Sequence, residues 1–124
     1  MKDLLAVAAG GAVGAVLRYL VYVLAGPLFG TGGGTLIVNL VGSFIMGVLI
    51  EGMALAWTVD LQLRLFLVVG VLGSFTTFST FSLDVAVFYE RGRLELVAGY
   101  VLASVICSIG ALFVGMHLVR RVYA

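Results

Sequence analysis

Apolar residues dominate this chain in long runs, and the runs are bilayer-sized. A helical crossing needs about 20 mostly apolar residues. Four such stretches can be drawn, Leu4 to Leu24, Thr35 to Trp57, Leu65 to Tyr89 and Leu96 to Val119. The connections between them are short. Residues 26–34 are glycine-rich and hold the only proline, which predicts a turn between antiparallel helices. No lysine follows those glycines and no strand precedes them, so they do not read as a phosphate cradle. The second connection surrounds Asp60 and the third runs from Glu90 to Glu95. The Met1-Lys2-Asp3-Leu4-Leu5 start has the look of a signal peptide, but its apolar run continues to Leu24, which predicts a span. The expected fold is all-α: one integral membrane domain over residues 1–124 with four transmembrane helices.

Composition sharpens that expectation. With 63% hydrophobic and 10% charged residues and a mean hydropathy of +1.25, the chain is too apolar for a soluble domain. So little of it lies outside the spans that no separate catalytic domain fits, and no enzyme activity is expected. A formal net charge of +1 points to no nucleic-acid partner. Cys107 is the only cysteine, which excludes an intramolecular disulfide and a multi-cysteine metal site.

Polar residues inside the spans are the candidates for function. Gly73-Ser74-Phe75-Thr76-Thr77-Phe78-Ser79-Thr80-Phe81-Ser82 places a run of hydroxyls and phenylalanines at membrane depth. Such sequence is tolerated mainly where it is buried in protein or lines a watery path. Gly70, Gly73, Ser74, Thr76 and Thr77 are poor helix formers, so the third helix is expected to break near residues 73 to 77. A break frees carbonyls suited to a desolvated monovalent cation and turns new amide hydrogens toward anions. Phe78 and Phe81 share a helical face and read either as core or as ring edges offered to a small anion. Asn39 stands alone in an apolar run, either joining helices or donating to a passing anion. Tyr100, Ser104 and Ser108 recur at fours; the serines either bond back to their own carbonyls or form a polar track with the third span.

Other features serve packing and orientation. Gly10 and Gly14, Ser43 and Gly47, and Gly99, Ala103, Cys107, Ala111 and Gly115 repeat at fours and let helix backbones approach closely. Four spans put Lys2, Arg64, Arg120 and Arg121 on one side and Arg91 and Arg93 on the other, with Arg18 inside the first span. That asymmetry is weak. It allows a fixed orientation with cytoplasmic termini, or insertion both ways with an antiparallel homodimer. Arg18 either snorkels to the interface or concentrates anions at a vestibule. His117, Trp57 and Tyr123 read as interfacial.

The residues Gly11 to Tyr19, Gly34 to Ser43 and, above all, Thr76-Thr77-Phe78-Ser79-Thr80-Phe81-Ser82 resemble the small fluoride channel family known as Fluc or CrcB. The resemblance implies an antiparallel dual-topology homodimer with two fluoride pores at its interface. It also implies a structural sodium ion held between the subunits by the backbone carbonyls of Gly73 and Thr76. By the same resemblance Asn39, Phe78, Phe81, Ser79, Thr80, Tyr100, Ser104 and Ser108 belong to the fluoride pore, and Arg18 and Asp84 to its vestibule. Asp84 stands where the family usually has glutamate, one methylene longer. Leu112, Ser74 and Phe75 also depart from residues expected in some relatives. The implied activity is passive fluoride export, with fluoride and membrane lipid as partners. The implied location is a bacterial or archaeal plasma membrane, the inner membrane in a Gram-negative cell. Two other readings stay open: a small proton-coupled multidrug antiporter, for which Glu51 is the candidate carboxylate, and a non-transporting assembly subunit.

Overall fold

The structure, a computed structural model, describes residues 1–124. It consists of four long apolar helical segments, Lys2–Phe29, Gly33–Leu55, Leu61–Glu90 and Leu94–Tyr123, each long and apolar enough to cross a membrane. The protein is therefore a multi-pass membrane protein. Broad apolar surfaces remain outward, including Leu20, Val23, Leu24, Leu102, Ile106 and Phe113. In a bilayer such faces meet acyl chains and carry no penalty.

The first helix runs further than the sequence suggests. Pro27 lies inside it, and the helix stops only at Phe29, where Gly30 turns with φ +69° and donates its amide to the Gly26 carbonyl at 3.0 Å. A proline so close to a helix end removes a single backbone bond, so the helix carries on past it. The connection shrinks to residues 30–32, closed by Gly32 at φ +85°. Gly32 also packs against rings: a Cβ there would lie 3.0 Å from Tyr100 and 3.3 Å from Phe88. The second connection lies around Asp60 as expected, and the Asp60 carboxylate caps the third span by accepting from the Leu63 amide at 2.7 Å. Residues 91–93 form the last turn, with Gly92 at φ +70°.

The helices pair in a simple way. The second lies along the last, and the first lies along the leading half of the third. The glycines at these seams are spent inside the chain. A Cβ on Gly10 or Gly14 would collide with the carbonyls of Phe66 and Val71 across the seam, and one on Gly70 would come within 2.7 Å of the Gly10 Cα. On the other seam Gly47 abuts the Leu112 carbonyl and Gly115 the Phe44 carbonyl. Gly99, further along the last-helix stripe, faces open space.

The third span is not one helix. After a turn at Leu61–Arg64, the chain is wound as a π-helix from Leu65 to Leu72, followed by a short α turn at Gly73–Phe75. Thr76 and Thr77 are extended, with ψ of 155° and 125°, and helix resumes at Phe78–Glu90. The expected break is present. Gly70 and Gly73 are helical, however, so the break belongs to the threonines, while Gly70 serves contact with the first helix.

Both termini and the second connection lie at one end of the bundle. Gln62 donates to the Asp3 carboxylate at 2.8 Å, and the Trp57 indole N–H to the Tyr123 hydroxyl at 3.3 Å. The Trp57 ring also lies against Gly52, where any side chain would displace it. Beside it the buried Glu51 takes a two-point bond from Arg120, at 2.6 Å from Nε and 3.3 Å from Nη2.

Candidate functional site

The break is held open by side chains. Asn39 faces the Thr77 peptide and engages both of its polar atoms: Oδ1 accepts from the Thr77 amide at 2.8 Å and Nδ2 donates to the Thr77 carbonyl at 3.0 Å. Thr77 in turn caps the helix that follows, its Oγ1 accepting from the Thr80 amide at 3.2 Å. The same oxygen lies 3.3 Å from the Ser79 hydroxyl and donates to Thr80 Oγ1 at 3.2 Å. Sequence reasoning gave Asn39 a role in joining helices or in donating to an anion. In the folded chain it joins the second helix to the break, and one amide hydrogen is left over.

The carbonyls of residues 73–76 all lose their helical partners across the break, and for two of them, Gly73 and Thr76, a side chain holds the amide concerned. In an unbroken helix the Gly73 carbonyl takes the amide four residues on, which is that of Thr77, and the Thr76 carbonyl takes that of Thr80. Asn39 holds the first of those amides and Thr77 Oγ1 the second.

Around the break opens a groove of about 520 Å³. It is lined by Asn39, Gly73, Thr76, Thr77, Phe78 and Phe81 on one side and by Ser104 and Ser108 of the last helix on the other. The two phenylalanines sit differently. Phe78 is 75% exposed, while Phe81 is buried and 5.4 Å from it between ring centroids. Phe81 continues to Tyr100 at 5.3 Å and Tyr100 to Phe88 at 5.4 Å. Phe78 is thus not core within this chain.

The hydroxyls divide into spent and unspent. Thr76 Oγ1 bonds back to the Leu72 carbonyl at 2.8 Å and Ser82 Oγ to the Phe78 carbonyl at 3.0 Å. Those of Ser104 and Ser108 are buried and make no hydrogen bond. Back-bonding, the ordinary fate of a membrane serine, is absent at the two serines that face the groove.

Asp84 lies deeper than a vestibule position suggests. It is buried, and its Oδ2 accepts from Thr35 Oγ1 at 2.6 Å and from the Tyr100 hydroxyl at 2.9 Å. Tyr22 adds a hydroxyl 3.3 Å from Thr35. A second recess, of about 230 Å³, adjoins this cluster beneath the first turn and includes Thr80. Sequence spacing gave no sign that Thr35 and Tyr22 meet Asp84, since Thr35 lies 49 residues away along the chain. Arg18 sits one turn beyond Gly14 and one turn before Tyr22, half-buried. It belongs to neither ion pair of the chain, which are Arg93 with Glu95 and Arg120 with Glu51.

This arrangement can be set beside known proteins. Residues 5–116 match the family model described as CrcB-like protein, camphor resistance. The chain belongs to the CrcB family. It is 52% identical over 127 residues to the fluoride-specific ion channel FluC of Agrobacterium fabrum, covering 99% of this chain and all of that one. It is 53% identical over 126 residues to the FluC of Rhodospirillum centenum, with both chains covered in full. With the FluC of Caulobacter sp. strain K31 it shares 46% identity over 127 residues, covering 100% of this chain and 99% of that one. These CrcB relatives carry the name of a channel rather than that of an enzyme.

Proposed function

We propose that the protein is a fluoride-selective channel that lets fluoride leave the cell down its electrochemical gradient. The observation that carries this reading is the groove at the helix break, where the unspent hydroxyls of Ser104 and Ser108 face Phe78 and Phe81. Its CrcB relatives' names as fluoride-specific channels point the same way. Fluoride is small and strongly hydrated, so a path must replace its water with several weak donors that also release it. Hydroxyls at Ser79, Thr80, Ser104 and Ser108, the spare Asn39 amide hydrogen and the edges of Phe78 and Phe81 are such donors, while Tyr100, whose O–H is held by Asp84, borders the path through its ring. Arg18 would raise the anion concentration at the entrance and Asp84 would border it.

The groove is open along one side, and Phe78 projects from it. We assign the missing wall to a second copy running antiparallel, which gives a dual-topology homodimer with two pores. The weak charge asymmetry between the two ends permits insertion both ways. The freed carbonyls of Gly73 and Thr76 fit a hard monovalent cation, and no three His, Cys, Asp or Glu side chains converge to hold a metal instead. A sodium ion held there would act as a structural tie between subunits. The membrane is the bacterial or archaeal plasma membrane, the inner one where there are two. The antiport reading needs a free carboxylate at Glu51, and that group is engaged by Arg120.

Fluoride efflux from liposomes holding the purified protein, read with a fluoride electrode beside a chloride control, tests the reading. Rapid fluoride loss with chloride retained is expected. Replacing Phe78 and Phe81 together with isoleucine should abolish the flux while leaving the protein monodisperse at its native size. Normal flux in that variant would remove the two rings from the path, and no flux from the folded, sodium-supplied wild type would defeat the channel itself.

A further inference from the structure

We infer that Asn39 and Thr77 are positioning residues for a cation site, their task being to keep the carbonyls of Gly73 and Thr76 free. The inference rests on the sodium ion of the proposed function and adds the side chains that make its site possible. An unbroken helix is the competing state of this segment. In it the Thr77 amide returns to the Gly73 carbonyl and the Thr80 amide to that of Thr76, and neither oxygen remains for an ion.

The structure blocks both returns with side-chain acceptors. Asn39 Oδ1 captures the Thr77 amide at 2.8 Å, and the Thr77 hydroxyl captures the Thr80 amide at 3.2 Å. Asn39 also donates to the Thr77 carbonyl at 3.0 Å, so it grips the peptide at two points and fixes its plane. The second helix carries Asn39 to this place by close packing. Gly42, one turn on, has no room for a side chain because the Thr76 methyl and the Phe75 ring lie against it. The clamp and the seat for the break thus sit on neighbouring turns of one helix.

Each captured amide is one hydrogen bond taken from the helical state. A net hydrogen bond is worth about one order of magnitude in an equilibrium. Removing either acceptor lets the segment relax toward helix and weakens the cation site by about that factor. The site weakens without any loss of cation ligands, since the ligands are backbone.

The test reads cation binding apart from flux. The melting temperature of the purified protein in detergent is followed as sodium replaces N-methylglucamine. Wild-type protein should be stabilised by sodium with a defined midpoint. Thr77→Val, which keeps the shape and removes the hydroxyl, should raise that midpoint about tenfold. Asn39→Ala should raise it at least as far, and Thr77→Ser should restore it. Should Asn39→Ala not fold, the near-isosteric Thr77→Val and Thr77→Ser pair decides alone. Wild-type midpoints in the variants would overturn the inference and leave Asn39 and Thr77 as groove residues only. A wild-type protein blind to sodium would overturn it too, together with the sodium ion of the proposed function. Neither result touches fluoride flux, which the liposome assay reads separately.

Discussion

At the scale of single residues, the most consequential contacts join polar groups that lie far apart in the chain. Asp84 is buried, and its Oδ2 is held by hydroxyls from Thr35 and Tyr100. Removing a donor from a buried acceptor leaves part of that acceptor's desolvation cost unmet. Thr35→Val should therefore destabilise the fold by about 1–3 kcal/mol, measured by denaturant unfolding in detergent, and an unchanged midpoint would show that water replaces the lost hydroxyl. The hydroxyl-rich run was visible in the sequence because its polarity contradicts its depth. The partners of Asn39 and Asp84 were not, since pairing across 38 and 49 residues leaves no local pattern. Glycine misled in a specific way: at Gly70 the sequence suggested a weak helix, whereas the residue is small so that the first helix can touch it.

At the scale of elements, the spans could be read from apolar runs alone, but their inner construction could not. Pro27 looked like a terminator and proved to lie in a last helical turn. The π winding of Leu65–Leu72 has no compositional mark, for Leu, Phe and Val occur equally in α-helices. Seams between helices follow the glycine spacing more faithfully. Because Gly47 and Gly115 each abut a backbone carbonyl rather than a side chain, nothing soft can give way around an added group. Gly47→Val should push the second and last helices apart and lower stability by about 1–3 kcal/mol. Gly99→Ala on the same last-helix stripe, facing open space within the chain, serves as its control. Equal losses from both, seen as equal drops in melting temperature, would mean that Gly99 packs against a second copy.

At the scale of the whole molecule, the two ends are built differently. One end carries the termini, the Trp57–Tyr123 contact and the Glu51–Arg120 pair; the other has the turns at residues 30–32 and 91–93 and the exposed Arg93–Glu95 pair. Glu51 ties helices at an end remote from the groove. Glu51→Gln is expected to keep fluoride efflux and lower the melting temperature, because it weakens the bond to Arg120 without reaching the break. Loss of efflux from a folded Glu51→Gln protein would return the proton-coupled reading to consideration.

The contacts that gather both termini at one end also set what a label can report. Asp3 meets Gln62 while Tyr123 meets Trp57, so an epitope added before Met1 and one added after Ala124 emerge on the same face of the membrane. Protease added to sealed cells or vesicles then asks one question through either tag. A chain inserted in a single direction would be clipped wholly or not at all. A chain inserted both ways would be clipped in part, and by the same fraction at its beginning and its end.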